Sequence, residues 1–366
     1  IVCGEEALRY MVQSTDWRSN PDAKPEKYSK IQRLLSGDTL QVSEVNQEIR
    51  NECLKVLSRV RDGTESGNNR TLMEWIDLAL RVPDVLEPET HTLIRETLTA
   101  YNVASPERYW VSWINVPGAN GSNAHDYLYP LTLVPALIDD PEAIEAAREG
   151  LRSELGYMNN TRYSKQPEFN LLESHWYGTS SWEMIKHFTP DPYMRRGARM
   201  ISERLWIDRF LTWSAEMGRN TGPGSRMAPS EWLGTDGERL LFATALSKPI
   251  WLNLFFDWEV WDPRNFRQGS GHSKATVPDL PEYLQDIAWR KSYPNLFQST
   301  YPIHHWDNYP ELPGVPQGDP LRPAKYVNYQ TQNYTLGSTT SSWVVNKGVV
   351  AACAWWNNSR NPETPV

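Results

Sequence analysis

The sequence predicts a mainly α-helical fold, an (α/α) toroid built as an incomplete barrel of helical hairpins, with a short β-rich C-terminal segment. In several stretches the apolar residues recur at spacings of three and four, which is the period of an amphipathic helix. Long segments rich in Gly, Pro, Asn and aromatic residues separate these stretches, and β-branched and aromatic residues become dense only near the end. We therefore expect a toroid domain over 1–325 and a β-rich tail over 326–366 that would begin a β-sandwich.

The first predicted helices occupy the N-terminal third of the chain. An apolar stripe begins at Val42 and continues to Val60, with Ser43 as a candidate cap and Asp62-Gly63 as the end. A second helix is expected from about residue 70 to Pro83, and a third from Pro88 to about residue 102.

The later helices are predicted in the same way. Asp140-Pro141 favours a helix start because proline suits the first helical position. A longer amphipathic helix is expected over 192–217, ending at Gly218, and shorter ones over 236–256 and 280–290. The segments between these helices, which we expect to be functional loops, are 102–130, 156–182, 218–232, 257–280 and 291–335.

The residue pattern of the tail over 326–366 predicts β-strands. Residues 326–334 and 343–356 are rich in β-branched and aromatic residues, and Gly337 and Gly348 are candidate turns. No β-alternation is expected before residue 325. A single hairpin would be marginal alone, so we expect it to pack on the helices or to belong to a larger sheet.

Composition excludes several classes of function. The net charge of the 366-residue chain is −8, which disfavours nucleic acid as a partner because phosphate binding needs a basic surface. No apolar run approaches the roughly 18 residues that a membrane span needs. Five Asn-x-Ser/Thr sequons and a first residue that is Ile would suit a secreted or periplasmic protein whose signal peptide has been removed. A sequence that is part of a longer protein would explain the first residue equally well.

Aromatic composition favours carbohydrate. The chain has 17 Trp and 17 Tyr but only 8 Phe, and Trp and Tyr suit half-wet sites because each has an apolar face and a polar edge. A pyranose ring offers the complementary surface. A tryptophan-rich helical core would explain the same counts. The candidate substrate contacts are the tryptophans in or beside the predicted loops: Trp110, Trp113, Trp176, Trp182, Trp232, Trp258 and Trp306.

Three segments concentrate groups that could carry chemistry. The segment 170–183 contains Glu173, His175 and Tyr177 within five residues, and Gly222-Pro-Gly-Ser-Arg226 forms a rigid turn that delivers an arginine. A third segment, 120–127, contains Asn123 and His125. Asn123 serves equally well as a helix N-cap, and His175 as a hydrogen-bonded structural histidine.

Over roughly residues 90–345 the chain resembles the (α/α)-toroid polysaccharide lyases of the alginate-lyase and heparinase type. The resemblance rests on the 170–183 segment, the 222–226 turn and the segment 329–338, which is similar to the strand entry into the C-terminal sheet of these enzymes. It implies β-elimination on a uronate-containing glycan. His175 and Tyr177 would then act as base and acid, Glu173 would belong to the catalytic set, and Asn123, His125 and Arg226 would bind the uronate carboxylate.

The resemblance is incomplete, and other functions stay open. Ser174 stands where Asn would be the expected neutralising residue. An inverting glycoside hydrolase would instead need two carboxylates about 6.5–9.5 Å apart, for which Glu173, Asp257, Glu259 and Asp307 are candidates. A third hypothesis is a non-catalytic protein that binds glycans or is itself a glycosylated extracellular protein. We predict no cofactor and no metal, because the pair His304-His305 lacks a partner at ligand spacing.

Overall fold

The computed structural model is mainly helical, with a small antiparallel sheet near the C-terminus. The residues that the structure describes are 30–35, 37–64, 69–104, 133–134, 136–138, 141–160, 182–216, 219–222, 280–301, 324–339 and 352–356. The predicted mainly α-helical class is confirmed at this level. The predicted helix over 236–256 lies outside the described residues.

Four helices form the N-terminal part: α1 (Lys30–Leu35), α2 (Thr39–Arg61), α3 (Asn69–Arg81) and α4 (Pro88–Ala104). The periodicity predicted the last three, and α1 was not predicted. The cap of α2 is Asp38 rather than the predicted Ser43. Its carboxylate accepts hydrogen bonds from the backbone N–H groups of Leu40 at 3.0 Å and Gln41 at 3.2 Å, which satisfies donors that the first turn leaves free. At the other end Gly63 has φ 66°, a conformation that favours glycine after a helix.

The middle of the chain forms α5 (Pro141–Asn160), a short α6 over 182–188, and α7 (Pro192–Thr212). Asp191 caps α7 by accepting from Met194 N at 2.8 Å and also pairs with Arg148 of α5. Helix α7 ends five residues earlier than predicted. Trp213 leaves the helix with ψ 134° and pairs with Asn220 in a two-stranded ribbon, β1 (Trp213–Ser214) with β2 (Arg219–Asn220).

The C-terminal part contains α8 (Glu282–Trp289), within the predicted 280–290, and one four-stranded antiparallel sheet. The strands β3 (Asn295–Tyr301), β4 (Ala324–Gln330), β5 (Tyr334–Thr339) and β6 (Ala352–Trp356) are neighbours in chain order. Strand β3 contradicts the expectation of no strand before residue 325, so the sheet begins at Asn295. Gly337 lies within β5 rather than in a turn.

Helix α7 connects two hydrophobic clusters. Its first half, from Met194 to Leu205, packs in the cluster formed by α1 to α6. Its last turns contribute Trp206 and Phe210 to a second cluster, which Leu284 and Ala288 of α8 complete. At 1.5 Å rise per residue α7 is about 30 Å long, so it links the N-terminal helices to the region of the sheet.

None of the helices within the described ranges is long and apolar enough to cross a membrane. Among the residues that the structure describes, no group of three or more His, Cys, Asp or Glu side chains is arranged to hold a metal ion.

Candidate functional site

Most of the predicted site residues lie outside the described residues. Their roles stay predictions, and what the structure gives is the framework to which their segments attach. These residues are Trp110, Trp113, Asn123, His125, Glu173, His175, Trp176, Tyr177, Arg226, Trp232, Trp258 and Trp306.

Trp182 is the one predicted substrate contact that the structure describes. Its side chain is 0% exposed and packs in the first hydrophobic cluster beside Met184 and Ile185. A sugar ring needs an accessible indole face to stack on, and this indole offers none. Trp182 therefore belongs to the hydrophobic core, and we do not carry it into the proposed site.

Helix α6 fixes the end of the segment that contains His175. Four consecutive residues of α6, from Trp182 to Ile185, are buried. The carboxylate of Glu183 is 1% exposed; it accepts a hydrogen bond from the hydroxyl of Ser202, half-way along α7, and pairs with Lys186. A buried carboxylate held by two partners is costly to displace, so residue 182 is a firm anchor for the chain that precedes it.

A second anchor holds the residues that precede the predicted arginine turn. Thr221 is 1% exposed, and both its backbone N–H, at 2.9 Å, and its hydroxyl, at 2.8 Å, donate to the carbonyl of Thr212. That carbonyl belongs to the last residue of α7, where helical partners are lacking. The chain therefore returns to the C-terminal end of α7 immediately before Gly222-Pro-Gly-Ser-Arg226.

Strand β4 closes this junction from the other side. Asn328 Nδ2 donates to the carbonyl of Thr221 and to its hydroxyl, both at 3.0 Å. Gln330 Nε2 donates to the carbonyl of Thr212 at 3.0 Å and to the Thr221 hydroxyl at 2.9 Å. Both amide side chains are 0% exposed. Because buried amides are costly to leave unpaired, this junction specifies one arrangement of the sheet against α7.

Gly222 is fitted to the same junction. It has φ 101°, and a Cβ built there would lie 2.0 Å from the hydroxyl oxygen of Tyr326 and 3.1 Å from Asn328 Nδ2. Tyr326 is itself 0% exposed and donates to the carbonyl of Thr221 at 3.2 Å. Only glycine combines this backbone conformation with so close an approach. Gly222, the first residue of the predicted arginine turn, is thus held against β4.

Lys291 adds a charged group to the same end of α7. Its Nζ donates to the carbonyls of Leu211, at 3.2 Å, and Trp213, and to Gln330 Oε1 at 3.2 Å. Burial lowers the pKa of Lys291 to about 7. The three acceptors match the three N–H donors of an ammonium group, and a cation is favoured at a helix C-terminus. The ammonium form of Lys291 therefore has an acceptor for each of its N–H groups, but burial makes its charge unfavourable in the folded state.

Sequence reasoning missed this junction, although one signal was present. Alternate residues of β4, namely Tyr326, Asn328 and Gln330, form the face that packs on α7 and Thr221. Alternation of polar side chains is normally interpreted as a solvent face, so a buried face of tyrosine and amides is not predicted from periodicity alone. The signal was their regular spacing inside a strand-like segment.

Comparison of the chain with protein-family models, with curated proteins and with solved structures gave no match.

Proposed function

We propose that this protein degrades a uronate-containing polysaccharide by β-elimination, on an (α/α) toroid whose last helices pack against a C-terminal sheet. The observation that carries the proposal is the junction of Thr221 and Gly222 with Asn328 and Gln330. It holds Thr221, the residue before the 222–226 segment, against Gln330 of the 329–338 segment. Two of the three segments on which the resemblance to the toroid lyases rests therefore begin at the same place in the fold, although about a hundred residues separate them in sequence. Binding sites favour such boundaries between packed units.

The third segment is tethered close enough to take part. The Glu183–Ser202 contact lies ten residues along α7 from Thr212, which is about 15 Å at helical rise. His175 is eight residues from Glu183 and Arg226 is five from Thr221, tethers that span up to about 27 Å and about 17 Å when extended. Chain connectivity therefore permits these two side chains to meet over one substrate.

The proposed chemistry assigns each residue a step. His175 removes the C5 proton, which is acidified by the adjacent carboxylate, while Asn123 and Arg226 stabilise the charge that develops on the carboxylate oxygens. The C4–O bond then breaks, and Tyr177 donates a proton to the leaving oxygen. The products are a C4–C5 unsaturated uronate and a new reducing end, and no water is consumed.

The experiment is an ultraviolet assay for unsaturated uronate against acidic and neutral polysaccharides, with reducing ends measured in parallel. His175→Ala should lower the rate by about 10²–10⁴, and Arg226→Ala by about 10²–10³. His187→Ala is the matched control, because His187 is an exposed histidine on α6, and it should leave the rate unchanged. Reducing ends without new absorbance would indicate the hydrolase instead, and the absence of both would indicate a non-catalytic protein.

A further inference from the structure

The four-stranded sheet has two faces of unusual character. The register places Leu296, Tyr329, Leu336 and Ala354 in one row across all four strands, on the face opposite to that of Asn328 and Gln330. Leu296 is 57% exposed, Leu336 47% and Trp356 51%. The face that meets solvent is thus largely apolar, whereas the exposed face of an antiparallel sheet is ordinarily polar.

Three aromatic rings follow one another across the solvent face. The centroids of Tyr329 and Tyr334 lie 6.1 Å apart with the rings tilted by 42°. Tyr334 is the direct cross-strand partner of Trp356, so the Cβ atoms of that pair are about 5 Å apart. Tyr334 is 40% exposed and Trp356 51%. We call these three residues the aromatic row.

We propose that the aromatic row binds a polysaccharide chain by stacking its pyranose rings. Each ring of the row combines an apolar face with a polar edge, and the row crosses two strand intervals, about 10 Å, which is longer than one sugar ring.

The size of the face argues against a second copy of the chain as its occupant. Four strands of five to seven residues cover about 20 Å by 20 Å, or about 400 Å². Two such faces would bury about 800 Å² in total, which is the scale of crystal packing rather than of a stable dimer. A linear glycan needs only the width of the aromatic row.

The inference reaches beyond the proposed reaction, since it concerns binding on the face opposite to the one that holds Thr221. It rests on the proposed function only for the choice of an acidic glycan. Stacking on the row requires neither His175 nor Arg226, so binding and bond cleavage are tested separately.

The test is native affinity electrophoresis of the full chain in gels containing sodium alginate or, as the neutral probe, hydroxyethyl cellulose. Trp356→Ala and Tyr334→Ala should each weaken retardation about tenfold, equivalent to about 1.4 kcal/mol, and Trp356→Tyr should restore most of it. Leu296→Ala is the matched control on the same face, and Tyr283→Ala, 60% exposed on α8, is the aromatic control elsewhere. Both should bind like the original chain.

Each outcome decides the proposal. Equal loss in Leu296→Ala and Trp356→Ala would mean a general apolar face and overturns the aromatic row. Retardation that none of the variants alters also overturns it, as does the absence of retardation in the original chain. Concentration-dependent dimerisation that Leu296→Ala abolishes would assign the face to a second copy. If His175→Ala leaves product formation unchanged while Trp356→Ala loses binding, the reaction is wrong and the row stands. Circular dichroism establishes that each variant is folded.

Discussion

Replacing Gly222 with alanine tests the junction between α7 and the sheet. The new Cβ would lie 2.0 Å from the hydroxyl oxygen of Tyr326 and 2.9 Å from Cζ of the same ring. Gly222 and Tyr326 are both buried. A left-handed backbone costs a non-glycine residue about 1–2 kcal/mol, and overpacking costs about 1–3 kcal/mol more. Gly222→Ala should therefore lower the free energy of unfolding by about 2–5 kcal/mol, measured by urea denaturation.

Two further variants separate these causes. Gly63 has φ 66°, and a Cβ at this position would meet nothing within 4 Å, so Gly63→Ala should show the backbone cost alone, about 1–2 kcal/mol. Tyr326→Phe removes the nearest atom that Gly222→Ala would meet, at the expense of one hydrogen bond to Thr221. The double variant should therefore be more stable than the sum of the two single losses implies.

The reasoning is refuted if Gly222→Ala unfolds within about 0.5 kcal/mol of the original chain, the range of ordinary surface substitutions. It is also refuted if Gly63→Ala costs as much as Gly222→Ala, because the contact with Tyr326 would then contribute nothing. Strictly additive stability losses in the double variant of Gly222→Ala and Tyr326→Phe would mean that the strain does not arise from contact with the Tyr326 hydroxyl.

Three other predictions concern the framework. Burial lowers the pKa of Lys291 in the folded state to about 7 from 10.5, so between these values the unfolded chain binds one more proton than the folded chain. The free energy of unfolding should therefore rise with pH across that window, by at most about 5 kcal/mol. Lys291→Met should flatten the rise, and the same pH dependence in the variant and the original chain, measured by urea unfolding, would contradict this. Although burial opposes it, the hydrogen bonds from Arg148 and Met194 lower the pKa of Asp191, so its stabilisation is present above the unfolded pKa and is lost on acidification. Asp191→Ala should lower the stability by about 1–2 kcal/mol for the lost helix cap and by more for the lost ion pair, whereas Asp191→Asn should keep the cap. An equal decrease in melting temperature in the two variants would contradict the role of Asp191 as a cap. Gly197→Ala would place a Cβ 2.4 Å from Leu151 Cδ2, and we expect the clash to outweigh the gain of about 1 kcal/mol in helix propensity; a higher melting temperature would show that Leu151 moves aside.

Helices α2 to α5, α7 and α8 could be predicted from the sequence because each buries one face, whereas the short helices α1 and α6 were not predicted. The apolar stripe of α2 contains Val45, Ile49 and Cys53, all 0% exposed, and α5 begins at Pro141 as expected. The end of α7 could not be predicted in this way. Trp213 continues the apolar stripe and is buried, but its backbone is extended rather than helical. Hydrophobic spacing does not indicate such a change of ψ.

The sheet was only partly predictable for a related reason. In strand β3, Leu296 and Gln298 lie on one face of the sheet, and Phe297 and Ser299 lie on the other. Each face thus has one apolar and one polar side chain, so the apolar residues do not alternate and periodicity gives no clear strand signal. For the site, the sequence concentrated acid, base and arginine in two segments but gave no sign of what holds them. Thr221, Asn328 and Gln330 meet through contacts more than a hundred residues apart, which local patterns do not encode.

The most direct test of the proposed function is cleavage of an acidic polysaccharide in water enriched in heavy oxygen, with mass spectrometry of the products after a short incubation. β-Elimination breaks the C4–O bond and consumes no water, so we predict unsaturated products that carry no heavy oxygen, and their loss in His175→Ala but not in His187→Ala. Saturated products with one heavy oxygen at each new reducing end, or no cleavage of any uronate-containing glycan, would contradict the proposal.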